Sequence, residues 1–306
     1  MTQGIYIVAN DKVAENAITL LNTLRLHDPD IPVVMLPFDS NYQYAAKELK
    51  DRHGVTVFPD LPLVEQFTQR VGEIFERDFL KLPNKMRKFA LWFGPFERFL
   101  YIDTDIITFQ PVTPILENLQ TYDFVCCDHH HKKRKLRDIF DPYILEIGLF
   151  PEAQLSDVFN SGFWGSRQGL FTLPELYELF QDASSHREYF DFTHNVTDQP
   201  LLNFVIFKTT EKRLNLTKLY PDEPGSWGGS PGFEERNHIL YDQNRKLRYL
   251  HWAGQPMRTG GPYRDLWEHY RYLGEERPPS PPPPAVKTNN PMRKWLRKLK
   301  RQLINS

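Results

Sequence analysis

The chain has 306 residues, 40% hydrophobic and 25% charged, an ordinary globular composition with material for one large core or two modest ones. No apolar stretch approaches the ~18 residues that a membrane span requires, and the start, Met1-Thr2-Gln3-Gly4, carries no basic leader, so neither a spanning helix nor a secretory signal is expected. The net charge of −1 hides an asymmetry: residues 285–306 hold seven positives and no acids, so the remainder carries −8, and such an acidic body argues against nucleic acid as a partner. Cys126 and Cys127 are adjacent in an apolar run and read as buried, reduced thiols, which predicts a cytoplasmic protein.

Ile5–Ala9 is the first predicted strand, and Asn10-Asp11 then caps a helix whose Ala14, Ala17, Ile18, Leu21 and Leu24 recur at helical spacing. Ile31–Leu36 is a second strand, 41–52 an amphipathic helix and Val55–Val57 a short third strand. This alternation predicts an α/β fold with a parallel, doubly wound sheet. Residues 62–76 and 84–93 read as helices ahead of the apolar run Phe99–Ile102. Strands follow at Ile106–Phe109 and Tyr122–Cys127. The run His129–Lys135 is three histidines and four cations; it reads as a solvated loop or as a basic lid over an anionic substrate. Phe159–Trp164 reads as a strand with a small polar break, with helices at 173–183 and 198–209. The Gly-, Pro- and Ser-rich stretch 221–231 around Trp227 is long enough for a lid. A strand over Leu247–Trp252 and a helix over 264–273 close the folded body.

Residues 277–291 form a proline-rich linker. Beyond it, Met292, Trp295, Leu296, Leu299 and Leu303 share one helical face and basic residues the other, which predicts a basic amphipathic helix over 292–306 able to lie on an anionic membrane surface. The alternative is a solvated tail.

The residues that carry chemistry lie where predicted strands end. Asp103 and Asp105 close the run Phe99–Ile102, and in extended chain residues i and i+2 share a side, so two hard oxygen ligands can meet one divalent cation. Crowded carboxylates repel, and a cation relieves them. A surface turn is the bland reading of such a pair. Four further stretches need the same explanation: Asn10-Asp11, Phe159-Asn160-Ser161-Gly162, Asp198-Gln199, and His251-Trp252-Ala253-Gly254. Singly, Asn160 reads as a turn residue, Asp198 as a helix N-cap and His251 as a core histidine. Together they suggest a metal–diphosphate site at one edge of an α/β sheet.

In this order the motifs resemble the GT-A glycosyltransferases, in particular the glycogenin-like and galactosyltransferase-like retaining enzymes of family 8, and more closely a cyanobacterial family of that type. The likeness covers roughly residues 4–258. It implies a single GT-A domain over residues 1–276, Rossmann-like with a mostly parallel central sheet, followed by the linker and the tail helix. It further implies transfer of a hexose from a nucleotide-diphosphate sugar, UDP-linked by preference, to a glycan or lipid acceptor hydroxyl with retention of configuration. Asp103, Asp105 and His251 would hold Mn²⁺ or Mg²⁺. Ala9, Asn10, Asp11, Lys88, Asp128, Asn160, Ser161, Gly162, Gly254 and Arg258 would bind substrate, with Lys85 and Arg87 as alternatives to Lys88. Asp198 and Gln199 would be catalytic, Gln199 stabilising positive charge on the sugar. Attachment at the inner face of a membrane would follow from the tail.

Two positions depart from the family. Lys12 or Val13 stands where a tyrosine often stacks on uracil, and Met257 stands where a lysine binds diphosphate, beside Arg258. The rival readings are a GT-A scaffold that binds without turnover and a sugar nucleotidyltransferase; the latter needs a glycine-rich phosphate loop that 10–16 lacks.

Overall fold

The computed structural model describes residues 2–126, 139–155, 157–193, 196–220, 225–230, 232–257 and 261–277. Asp128, Arg258, the run 129–135 and the tail 292–306 lie outside them. The chain divides into two units, Met1–Leu273 and Gly274–Ser306, and the first carries everything that follows.

Strand–helix alternation opens the fold as its periodicity predicts: β1 (Gln3–Ala9), α1 (Ala14–His27), β2 (Val33–Pro37), α2 (Gln43–His53), β3 (Thr56–Val57) and α3 (Leu61–Ile74). The expected helix at 84–93 is instead 3₁₀-wound over Pro83–Phe93. It leads into β4 (Arg98–Ile102) and β5 (Ile106–Thr108). After a further 3₁₀ segment, Thr113–Gln120, come β6 (Phe124–Cys126), the short helices α4 (Tyr143–Glu146) and α5 (Glu152–Leu155), β7 (Phe163–Arg167), α6 (Leu173–Ser185) and α7 (Asp198–Thr209). β8 (Arg213–Asn215), α8 (Leu216–Leu219), β9 (Glu234–Arg236), β10 (Ile239–Asp242), β11 (Arg245–Lys246), β12 (Tyr249–His251) and α9 (Arg264–Arg271) complete it. No helix among the described residues is long and apolar enough to cross a membrane.

Seven strands form one mostly parallel sheet in the order β3-β2-β1-β4-β7-β6-β8. β1 pairs in parallel with β2 and β4, and β6 with β8. β7 runs antiparallel to both β4 and β6, the exception in a sheet that is mostly parallel as expected. That reversal has a consequence for position. The start of β7 lies at the edge where β1, β2 and β4 end, with Phe163 opposite Ile102. The ladder runs one rung further, Asp103 N–H donating to Gly162 C=O at 2.7 Å. Residues 159–162, expected as strand, are therefore the turn that delivers the chain to this edge.

Alternation along the strands splits the core in two. Tyr6, Phe99 and Tyr101 pack with α3, α6 and α7 on one face, while Ile5, Ile7, Leu100 and Ile102 pack with α1 and α2 on the other. The high aromatic content resides mainly in the first of these. Trp164 stacks on Trp92 at 5.2 Å and on Phe124 at 5.6 Å, and its indole donates to Ser161 C=O at 3.1 Å. A third, smaller core gathers Ile107, Phe109, Leu250 and Trp252 under α9. It stabilises the antiparallel pair β5–β12, which sets His251 opposite Ile106.

Fully buried Asn203 on α7 holds the turn in place from below. Its side chain accepts from Phe159 N–H at 2.9 Å and donates to Phe159 C=O at 2.8 Å. Asn203→Ala strands both backbone groups, each costing about 1–3 kcal/mol when left unpaired. The urea midpoint should fall accordingly with an unchanged m-value; an unmoved midpoint would mean that the Phe159 groups find other partners.

Candidate active site

The cleft opens at the edge where β1, β2 and β4 end, beside the place where strand order reverses, which is where open α/β sheets take ligands. It encloses about 330 Å³, and Asp103, Asp105, Lys88, Asp198 and His251 all line it. Asp103 and Asp105 occupy the turn between β4 and β5. They face His251, with Nε2 3.2 Å from Asp105 Oδ1 and 4.0 Å from Asp103 Oδ2. Ligand atoms of the three lie within 4.8 Å of one another, so they could hold one metal ion. Two carboxylates and an imidazole are ligand types for a divalent cation.

Each of these side chains is fixed from behind. Tyr101 donates its hydroxyl to Asp103 Oδ1. His251 is pinned through its backbone, N–H to Ser226 C=O and C=O from Gly228 N–H, both at 2.8 Å. Trp252 N–H reaches Asp105 C=O at 3.0 Å, which locks β12 to the acidic turn. In its described part, 225–230, the stretch expected as a lid is thus a strap along β12, with the Trp227 indole donating to Ala253 C=O.

Lys88 sits almost fully buried under the cleft. Its ammonium lies 2.7 Å from Asp198 Oδ2 and 3.6 Å from Asp103 Oδ1, donates to Ser161 C=O at 3.3 Å, and stands 4.5 Å over the Tyr101 ring. Burial pulls its pKa down, but Asp103 and Asp198 outweigh that and leave it above the ordinary lysine value. Burial raises Asp198; Lys88, Lys85 and the hydrogen bonds from Lys88 and Ser161 more than reverse this, so its pKa ends below the usual range. Burial likewise opposes charge on His251 and Asp105, yet their mutual attraction wins, raising the imidazole and lowering the carboxylate. Asp103 is driven upward, by burial first and by Asp105 beside it, against the pull of Lys88.

Asp198 does not act as the cap of its own helix. Thr197 occupies the N-cap, and Asp198, in the first turn, sends its side chain to Lys88 and to Ser161 Oγ at 2.6 Å. Arg87, an alternative to Lys88, is turned away: its guanidinium meets both oxygens of Glu65 at 2.8 and 2.7 Å and Pro37 C=O at 2.9 Å. Lys85 lines the cleft. Asn160, Ser161, Gln199 and Gly254 line it as well. Ala9, Asn10 and Asp11 stand behind the lining: Asn10 donates to Asp39 at 2.7 Å, and Asp11 accepts from Ala45 N–H at 2.9 Å, tying the loop after β1 to the loop after β2 and to α2. Met257 is buried in the third core. Sequence reasoning passed over Val8, Phe38, Tyr101 and Thr197 as lining residues. Phe38 immediately follows β2, and an aromatic at a strand's C-terminal end is the signal that could have found it.

No protein-family model matches the chain, and no curated protein matches it in sequence. Among solved structures, the apo form of the bifunctional glycosyltransferase WbbM superposes with a TM-score of 0.59 at 13% identity, over 89% of this chain and 50% of WbbM. The glycosyltransferase GlyE of Streptococcus pneumoniae TIGR4 gives 0.52 at 16% identity, over 89% and 61%. An active-site glutamine-to-glutamate variant of LgtC gives 0.50 at 12% identity, over 82% and 87%. The chain therefore spans about half the length of WbbM and 61% of GlyE. What it shares with them is the fold, an α/β fold of the GT-A type.

Gly162 abuts two of the three ligand residues, Asp103 and His251. A Cβ there would press into His251 Cε1 and lie 2.8 Å from Asp103 Oδ2 and 2.9 Å from Asn160 Oδ1. Gly162→Ala should therefore lower Mn²⁺ affinity at least tenfold by calorimetry. Gly72→Ala, whose Cβ meets only Pro83 Cγ at 3.8 Å, should leave it unchanged. Equal affinities in the two variants would remove these ligands from the metal site.

Proposed function

We propose that the protein is a glycosyltransferase that moves a hexose from a nucleotide-diphosphate sugar, UDP-linked by preference, to a hydroxyl of a glycan or lipid acceptor with retention of configuration. The observation that carries this is the convergence of Asp103 and Asp105, from the turn between β4 and β5, with His251, from the end of β12, on the ligand-binding edge of a GT-A sheet. Those residues would hold Mn²⁺ or Mg²⁺, and when bound the cation would neutralise charge on the departing diphosphate.

The chain's own groups supply the rest. Lys88 keeps Asp198 ionised and oriented, and Ser161 fixes the same carboxylate from the other side. Lys85, a cleft-lining cation whose charge also acts on Asp198, is the group to meet a phosphate oxygen. Arg87 is committed to Glu65 and Met257 to the third core, which takes both out of that role. Asn160, Asp198 and Gln199 form the wall for the sugar, and Phe38 with Val8 offers an apolar surface for the base. WbbM and GlyE are described as glycosyltransferases, and the shared fold supports the same class here.

Calorimetric titration of UDP-glucose, UDP-galactose and GDP-mannose, with and without Mn²⁺, tests the reading. One donor should bind in the presence of metal only, and Asp105→Ala should abolish that binding, a loss of at least a hundredfold. Metal-independent binding, or none at all, would sink the reading. A scaffold without turnover is the second reading, favoured by the burial of Met257 where the family resemblance places a phosphate-binding lysine. Metal-dependent hydrolysis of the bound donor would exclude it.

The lipid or surface-glycan acceptor rests on the sequence of 292–306, read as a basic amphipathic helix. A chain ending at residue 277 should keep donor hydrolysis and lose sedimentation with phosphatidylserine vesicles. Undiminished sedimentation would place membrane contact elsewhere or nowhere.

A further inference from the structure

Tyr101 is the penultimate residue of β4 and stands two before Asp103, a spacing that puts both side chains on one side of an extended chain. Its hydroxyl donates to Asp103 Oδ1. The Lys88 ammonium occupies the same flank, 3.6 Å from Oδ1 and 4.5 Å over the Tyr101 ring. The other oxygen looks elsewhere. Oδ2 lies 4.0 Å from His251 Nε2 and 2.8 Å from the place that a Cβ on Gly162 would take. The two oxygens of one carboxylate thus face two different neighbourhoods.

The groups that divide them are themselves held. Tyr101 is buried, and its ring packs at 5.4 Å against Trp164, which in turn stacks on Trp92 and Phe124, so the hydroxyl cannot follow a carboxylate that turns. Lys88 is tied to Asp198 Oδ2 at 2.7 Å and to Ser161 C=O at 3.3 Å. The Asp103 backbone is fixed by its N–H to Gly162 C=O. A cation approaching Oδ1 would meet the positive charge of Lys88 and compete with the phenol for the lone pairs of that oxygen. A cation approaching Oδ2 meets the imidazole instead.

How many oxygens a carboxylate offers bears on which cation it suits. Ca²⁺ gathers about six to eight oxygens and readily takes both from one carboxylate, whereas Mg²⁺ demands a compact octahedron. Withholding one oxygen of Asp103 therefore costs Ca²⁺ a ligand and costs Mg²⁺ none. We propose that Tyr101 is the positioning residue that sets the metal preference of the site: its hydroxyl holds Asp103 Oδ1 on the Lys88 side, Asp103 presents Oδ2 alone, and Mg²⁺ is favoured over Ca²⁺. Tyr101 acts through Asp103 and touches no cation itself. The proposal rests on the reading of Asp103, Asp105 and His251 as a metal site and adds what makes that site selective.

Tyr101→Phe keeps the ring in its stack and removes the hydroxyl alone. In the full chain without donor, Mn²⁺ binding is read from the EPR signal of the free ion, counting only the binding that Asp105→Ala removes, and Mg²⁺ and Ca²⁺ are titrated in as competitors. The ratio of the Ca²⁺ Kd to the Mg²⁺ Kd should fall tenfold or more in Tyr101→Phe. A hydroxyl that merely supports the fold would weaken all three ions in parallel, so an unchanged ratio overturns the proposal whatever happens to the affinities. If the variant does not fold, the wild type decides: Mg²⁺ should displace Mn²⁺ at a lower concentration than Ca²⁺ does, and displacement by Ca²⁺ at an equal or lower concentration overturns the proposal. A wild type whose Mn²⁺ binding survives Asp105→Ala, or that binds no Mn²⁺, overturns the metal site beneath it.

Discussion

Like charges gathered in a low-dielectric cleft must be balanced, and that balance governs this molecule. At an effective dielectric of 20, two unit charges 4 Å apart interact by about 4 kcal/mol. Three carboxylates, Asp103, Asp105 and Asp198, share one cleft with Lys88, Lys85 and His251. Lys88 holds Asp198 and Asp103 together from beneath, and His251 holds Asp105. At the Asp103–Asp105 turn two carboxylates face one imidazole, which makes that corner attractive to a divalent cation, and a bound cation would in turn make it attractive to a diphosphate.

The fold supplies this arrangement through two reversals of direction. β7 enters the sheet antiparallel, which brings residues 159–162 beside the end of β4. β12 runs antiparallel to β5, which brings His251 against the acidic turn. Had β7 run parallel, its start would lie at the opposite edge of the sheet, far from Asp103. Gly162 is required where these two movements meet, because no side chain fits between Asp103 and His251. The aromatic stack around Trp164 anchors the turn on one side and Asn203 anchors it on the other.

What the sequence disclosed was local. Asp103 and Asp105 are two residues apart, Asp198 and Gln199 are adjacent, and strand–helix alternation is a short-range pattern; each was readable without knowledge of tertiary contacts. The direction of β7 was not, since an apolar run reads the same in either sense. Among the three cations at positions 85, 87 and 88, charge and spacing alone could not tell which is buried against Asp198, which is taken by Glu65 and which is left to line the cleft. Asp198 looked equally like a helix cap; only the placement of Thr197 at that position releases it for Lys88 and Ser161. The orientation of the Gln199 amide depends on a chain of hydrogen bonds through Asn160 to Gly162, which no residue pattern encodes.

The pairing of β5 with β12 joins the middle of the chain to its later part. Contacts so distant in sequence form late, after the entropy of closing the intervening loop has been met. A growing chain on the ribosome can build β1 through β4 and already display the Asp103–Asp105 turn, but it lacks the imidazole until β12 has emerged. The third core must then close over β12 before His251 is held in place. The site is thereby incomplete in every chain that ends before β12, and the gathering of Asp103, Asp105 and His251 becomes a report that the domain has been finished.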